Sequence, residues 1–239
     1  MAKMRLDKLV SHMGLGTRSE VRLGVKKRFA CVNGKIAKDA GMQIDTEKDQ
    51  VTWMGLPVRY QATVCLMLNK PQGVISATED PKAQTVLSLL APPYAGMALF
   101  PVGRLDKDTE GLLLLTNDGD LAHRLLSPKK KVPKTYRVVL DKPLTEEGVR
   151  ALEAGIPLEP DFTTSPAGVE AVGNDWGLVL LTIYEGRFHQ VKRMMHHVGC
   201  EVTHLQRLAM GPLYLDPSLA AGAYRELTEA ELEALLTEA

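Results

Sequence analysis

Asp106 stands two residues after an arginine in Gly103-Arg104-Leu105-Asp106-Lys107-Asp108-Thr109-Glu110-Gly111-Leu112, at the mouth of the apolar run Leu113-Leu114-Leu115. A carboxylate that ends a turn before a buried strand is held by rigid backbone yet can face a cleft, and a nearby guanidinium can keep it ionised there. That combination suits a nucleophile or a base. The competing reading is structural. Asp, Thr and Gly are ordinary turn residues, and Asp106 could simply accept a hydrogen bond from the backbone of Asp108.

Two further segments bear on that choice. Lys134-Thr135-Tyr136-Arg137-Val138 is a strand-type run entered from the basic loop Ser127-Pro128-Lys129-Lys130-Lys131. Glu185-Gly186-Arg187-Phe188-His189-Gln190-Val191-Lys192-Arg193-Met194 leaves a strand and enters a helix. With Asn69-Lys70-Pro71-Gln72-Gly73 upstream, four segments in this order resemble the RsuA-type branch of the pseudouridine synthases. The resemblance implies that Asp106 is the essential catalytic residue, that Tyr136 lies against the uracil ring, and that Arg187 supplies the cation for Asp106. It spans essentially the whole chain, because residues 5 to 50 are similar to the S4 RNA-binding module that opens these synthases. One departure stands in that module. Where the S4 pattern has a glycine before its first strand, this chain has Arg28, followed by Phe29, Ala30 and Cys31, so the turn is expected to differ.

The implied reaction breaks the bond between uracil N1 and the ribose, turns the base while it stays bound, and rejoins it through C5. No redox change or group transfer occurs, and no cofactor is expected. Three things are needed: a carboxylate against the nucleotide, a pocket for the loose base, and basic surface for RNA. Attack on the sugar, attack on the base and removal of a ribose proton all remain open. In each case the carboxylate must be anionic, and a dry cleft then demands a nearby cation. The target uridine must also leave its stack at a cost of about a few kcal/mol, which phosphate contacts have to offset. Candidates for RNA contact in this part of the chain are Lys70, Arg104, Arg124, Lys129, Lys130, Lys131, Lys134, His189, Gln190, Lys192 and Arg193. Arg104 is assigned to the RNA backbone or to the space left by the extruded base. Between Ala122 and Val138 there are six Lys or Arg and no acid, a bias that plain solvation does not explain.

The elements that must position these groups follow from pattern. Leu6, Leu9, Val10 and Met13 recur at helical spacing, and Gly14 and Gly16 are expected to end that helix. Thr17 with Glu20 reads as a capping box opening a second helix, which puts Arg18, Arg22 and Lys26 on one stripe. Like charges at four-residue steps repel, so a neutralising partner is expected for them, with Arg5, Lys8 and Lys27 as further candidate RNA contacts. Two short strands flank an Asn33-Gly34 hairpin turn, and another lies near Val51 to Trp53. A linker is expected around 55 to 63, which divides the chain into residues 1–58, S4-like, and 59–239, catalytic. Beyond it, strands at 64–69, 111–116, 135–140, 176–184 and 201–208 alternate with helices at 85–90, 121–126, 145–154 and 190–198. Without a regular glycine-marked βαβ rhythm, this is an α+β fold: a small S4-like RNA-binding domain followed by a pseudouridine synthase domain with a mainly antiparallel mixed sheet and flanking helices.

Composition narrows the class. At 239 residues with 45% hydrophobic and 24% charged content, the chain has the make-up of a soluble globular protein with a sizeable core. No apolar run reaches membrane-span length and the amino terminus has no signal-peptide character. Cys31, Cys65 and Cys200 are odd in number and far apart, which suits reduced thiols in the cytoplasm. The formal net charge of zero hides a segregation: residues 1 to 38 carry net +8, while residues 216 to 239 carry net −5. The acidic tail reads as a solvated helix face.

The expected partner is ribosomal RNA or a pre-ribosomal particle, with the small-subunit 16S rRNA ahead of 23S rRNA, and the expected state is a monomer. A non-catalytic ribosome-assembly factor remains the rival class. A zinc site is weighed on His189, His196, His197, Cys200 and His204. Gly199 is expected to end the helix before Cys200, and no Cys-x-x-Cys or His-Glu-x-x-His pattern occurs, so no metal is expected.

Overall fold

The computed structural model describes residues 3–238. They divide into two compact units, one comprising the chain through Val64 together with Leu87–Phe100, the other comprising Cys65–Val86 and the chain from Pro101 onward. A single cut after residue 58 does not contain the return of Leu87–Phe100 to the amino-terminal unit. Its physical basis is close backbone packing. A Cβ on Gly96 would lie 2.1 Å from the carbonyl oxygen of Gly14, and Gly14 itself turns at φ +72°. Both positions therefore demand glycine.

In the amino-terminal unit, β1 (Lys3–Arg5) leads into α1 (Leu6–His12), and α2 (Arg18–Lys26) follows. β2 (Ala30–Val32), β3 (Lys35–Ile36), β5 (Val51–Trp53) and β6 (Leu56–Val58) form a sheet ordered β3-β2-β5-β6, while β4 (Gln43–Asp45) pairs with β1. The helices close over Leu6, Leu9, Val10, Val21 and Val25, all buried with Ile44 and Val51. The capping box is present: the Thr17 hydroxyl accepts from the backbone N–H of Glu20, whose carboxylate accepts from that of Thr17. Asn33 and Gly34 both take positive φ, 52° and 75°, as a two-residue hairpin turn between β2 and β3 requires. Arg28 corrects an expectation. At φ 66° it adopts the left-handed backbone a glycine would take, so the departure costs about 1–2 kcal/mol of strain rather than a different turn.

The larger unit is built on a sheet ordered β13-β14-β10-β15-β9-β7-β17. Its strands are β7 (Cys65–Lys70), β9 (Glu110–Thr116), β10 (Lys134–Leu140), β13 (Gly168–Val172), β14 (Asp175–Ile183), β15 (Val202–Met210) and β17 (Tyr224–Glu226). The short β8 (Phe100–Pro101) lies between β7 and β9 in the chain, β11 (Pro157–Glu159) pairs with β12 (Phe162–Thr163), and β16 (Leu213–Tyr214) pairs with β15. Every neighbouring pair on the path is antiparallel except β15 with β9. Leu112 through Leu115 are fully buried, so β9 is covered on both faces, whereas β10 alternates buried and half-buried positions. The helices are α3 (Gly119–Leu126), α4 (Glu146–Ala154), α5 (Gln190–His197) and α6 (Glu229–Glu238). The α+β class and the mostly antiparallel sheet agree with the sequence reading.

Differences are confined to short elements. The expected helix at 85–90 is a 3-10 turn, Val86–Leu89. The acidic tail is not a free solvated face: β17 pairs with β7, Leu235 is fully buried, and Arg225 makes a two-pronged ion pair to Glu231 and a third bond to Asp216. Among the described residues no helix is long and apolar enough to cross a membrane.

Candidate active site

The Asp106 loop is fixed from below by a buried amine. Lys70, at the end of β7, has no exposed surface, and its Nζ donates to the carbonyls of Pro71, Asp106 and Thr109 at 3.0, 3.0 and 2.8 Å. Burial pulls its pKa down to about 8, against the opposing pull of Asp108, Asp106 and Glu110. The Ser76 hydroxyl brackets Leu105 by donating to its carbonyl and accepting from its N–H. The loop closes into β9 at Gly111, where φ is +100° and an added Cβ would lie 2.2 Å from the Arg207 carbonyl oxygen across the parallel β15 pairing. Only glycine fits there.

This scaffold puts Asp106 at a cleft lined by Arg104, Thr109, Tyr136, Arg187, His189 and Lys192, with Leu105, Ile183, Val191 and Leu205 as apolar wall. The carboxylate does not behave as a mere turn former. The Asp106–Thr109 turn is closed by backbone, and the Asp106 oxygens instead meet Lys192 Nζ at 3.3 Å and His189 Nε2 at 3.5 Å. Lys192 also donates to Asp108 at 2.6 Å. Burial pushes the Lys192 pKa down, but the two carboxylates outweigh it and hold it above its ordinary value. Lys192 in turn draws Asp108 below the usual carboxylate range. The pair of acids and the single amine form a charge-locked corner of the cleft.

Tyr136 is buried on β10, on the face shared by Lys134 and Val138, and its ring forms part of the cleft. Arg187 lines the same cleft but does not pair with Asp106. Its guanidinium lies 4.3 Å above the Phe162 ring on β12, so the cation expected from it comes from Lys192. Sequence reasoning placed Lys192 only among RNA contacts. The available signal was helical: Lys192 stands three residues after His189 at the start of α5, so both reach the same side. Thr109, another missed lining residue, has a buried hydroxyl with no protein partner among the described residues.

Three expected RNA contacts are internal instead. Lys70 anchors the loop, as above. Lys134 is buried and donates to the Val132 carbonyl, its pKa pushed down to about 8 by burial and then by Arg207. Gln190 is buried, accepting from the Arg187 N–H. Each occupies a site too dry for phosphate. Arg193 is half-buried and tied to Glu159 and the Leu158 carbonyl on β11. Arg104, Lys129, Lys130 and Lys131 are exposed, and Arg124 is half-exposed on α3.

In the amino-terminal unit, Arg5, Arg18 and Arg22 converge on the fully buried Asp7 at 3.0–3.1 Å. Asp7 therefore neutralises part of the stripe from within, pairing with Arg18 and Arg22 while Lys26 is not among its partners. The Arg5 bonds, then burial working the other way, then Arg18 and Arg22 hold its carboxyl far below the ordinary range. The arginine side chains stay 44%, 51% and 54% exposed. Lys8, Lys26 and Lys27 are exposed.

The histidines weighed for zinc have other surroundings. His196 meets Glu201 at 2.6 Å, His204 meets Glu110 at 2.8 Å, and Cys200 is buried beyond Gly199, which turns at φ +80°. Among the described residues no three His, Cys, Asp or Glu side chains are grouped to hold a metal.

The S4 domain model matches residues 4–51, and the RNA pseudouridylate synthase model matches residues 64–197. The chain is 53% identical over 234 residues to the uncharacterized RNA pseudouridine synthase YtzG of Bacillus subtilis, covering 97% of this chain and 98% of that one. It is 39% identical over 236 residues to ribosomal small subunit pseudouridine synthase A of Escherichia coli K12, covering 98% and 100%. A crystal structure of pseudouridylate synthase matches with TM-score 0.68 and 39% identity, over 97% of this chain and 99% of that chain.

Proposed function

We propose that this chain, which belongs to the RNA pseudouridylate synthase family, isomerises one uridine of small-subunit ribosomal RNA to pseudouridine, with Asp106 as the catalytic carboxylate and no cofactor. The observation that carries the assignment is the position of Asp106: part-exposed at the cleft, between Lys192 and His189, on a loop whose carbonyls a buried lysine holds. A preorganised cation offers the carboxylate a counter-charge where water is displaced by the nucleotide, and spends no reorganisation at the moment of reaction. Tyr136 presents an aromatic face to the uracil while its bond to the ribose is open. Arg187, braced on Phe162, and the exposed Arg104 flank the entry, where they can meet phosphate or take the place of the extruded base.

The ribosomal target rests on the small-subunit synthases that the chain resembles along its whole length. Arg5, Lys8, Arg18, Arg22, Lys26 and Lys27 then offer the amino-terminal unit's face to rRNA or to a pre-ribosomal particle, with the protein acting as a cytoplasmic monomer.

The test is a pseudouridine map. RNA from cells lacking the protein, labelled with carbodiimide and read by primer extension, is expected to lose one stop in small-subunit rRNA. Native protein restores it. Asp106→Asn binds RNA yet reduces the rate by about 10³-fold or more. A stop lost from large-subunit rRNA moves the target, and unchanged stops in both rRNAs reject the enzyme reading. A non-catalytic assembly factor would leave every cellular effect intact in Asp106→Asn.

A further inference from the structure

Phe188 is the most exposed large hydrophobic side chain among the described residues, at 75%. It belongs to the segment that supplies the site, yet no chemistry described above uses it. Its ring stacks on His189 with centroids 3.8 Å apart and planes 17° from parallel. His189 in turn lies 3.5 Å from Asp106. His189 caps α5 in the left-handed region, φ 49° and ψ 33°, a conformation that residues with a Cβ seldom take. Alongside runs an open groove bordered by Pro157, Leu158, Lys192, Arg193, His197 and Glu201, with Lys192 and Arg193 also facing Asp108 and Glu159.

An exposed aromatic ring beside an open groove that carries Lys192 and Arg193 is an arrangement that suits single-stranded nucleic acid. Bases stack on the ring, phosphates follow the cations, and the stacking is tolerant of sequence because every base has a π-face. We propose that Phe188, backed by His189, is a stacking platform for the nucleobase adjacent to the reacting uridine, with the strand leaving along the α5 groove. This rests on the Asp106 cleft being the place where the uridine reacts. The platform offsets part of the stacking that the target's neighbour loses when the uridine is extruded.

The probes are two single-stranded RNA heptamers with a central uridine, carrying 2-aminopurine immediately before or immediately after it. Stacking quenches the fluorescence of that base. Native protein is expected to quench one heptamer and not the other. Phe188→Ala is expected to abolish the quench and weaken binding about 10-fold, and Phe188→Trp to restore both. Because the side chain contributes almost nothing to the core, both variants should match the native protein in thermal unfolding. Equal quenching and affinity in native protein and Phe188→Ala overturn the platform, as does the absence of quenching by native protein, the result expected if the ring serves a protein partner. The rRNA map separates this from the parent reading. If native protein and Phe188→Ala form pseudouridine with the same KM, the platform fails and the enzyme stands. If native protein forms none while the quench still depends on Phe188, the enzyme reading fails and Phe188 stands only as a platform for bound RNA.

Discussion

At the scale of the residue, the placement of Asp106 depends on a lysine that never meets solvent. Lys70 donates to the carbonyls of Pro71, Asp106 and Thr109; the Asp106 oxygen also accepts the Thr109 N–H, so removal of the amine takes a buried donor chiefly from Pro71 and Thr109. Lys70→Met keeps the length of the side chain and removes the donors. It is expected to cost about 2–4 kcal/mol in denaturant unfolding, from carbonyls stranded without a partner. It is also expected to lower kcat by about 10²-fold with little change in KM, because the loop that aims the carboxylate drifts. A variant with normal kcat would make Lys70 a stability residue alone. The sequence showed the types of residue here more readily than their partners. Asp106, Tyr136 and Arg187 were legible and share one cleft. Arg187 was given the wrong partner, since nothing in a linear motif reveals that Phe162, twenty-five positions upstream in an unforeseen strand pair, takes its guanidinium. Lys70, Lys134 and Gln190 were read as surface because burial of a polar side chain is settled by the neighbours it finds after folding.

At the scale of the element, local chemistry was legible and long-range pairing was not. The Thr17–Glu20 capping box and the Asn33–Gly34 turn are set within a few residues, and both formed as expected. The parallel pairing of β9 with β15 joins Gly111 to Arg207, and no local pattern encodes it. The anchoring of the terminal helix is the instructive miss. Thr228 and Glu231 carry the same capping signal as Thr17 and Glu20, with the Thr228 hydroxyl accepting from the Glu231 N–H, but the acidic tail was read for its charge. Its anchor gives a pH prediction. The Arg225 bonds come first and burial opposes them in holding Glu231 down at about 2, while Ser218 and then Arg225 hold Asp216 at about 2. A depressed carboxylate adds stability that is complete above its unfolded pKa and lost as pH falls through the folded value. The anchor should therefore hold above about pH 4.5 and fail between there and about pH 2. Glu231→Gln is expected to remove about 1–2 kcal/mol at pH 7, allowing for partial exposure, and to flatten the loss of stability across that acid window. Parallel stability curves for the two proteins between pH 4.5 and 2 would reject the anchor.

At the scale of the whole molecule, a net charge of zero conceals a binding face because the charge is sorted along the chain. Global charge describes solubility, whereas affinity for a polyanion depends on how many phosphates a local surface meets and how many counterions it releases. Three guanidiniums sharing one buried carboxylate leave a fixed excess of positive charge, relieved of mutual repulsion before any ligand arrives. The consequence is measurable as a salt slope. Binding of unmodified small-subunit rRNA transcript should weaken linearly in log–log form between 50 and 200 mM salt, a range in which counterion release dominates. Replacing Arg18 and Arg22 by Gln, which leaves the two-pronged Arg5 bond on Asp7, should reduce the slope by about 1.4–1.8. Lys26→Gln with Lys27→Gln should do the same without touching the Asp7 cluster, separating lost phosphate contacts from a loosened fold. If both double variants keep the native slope, this face meets no phosphate, and the amino-terminal unit recognises its target by some means other than charge.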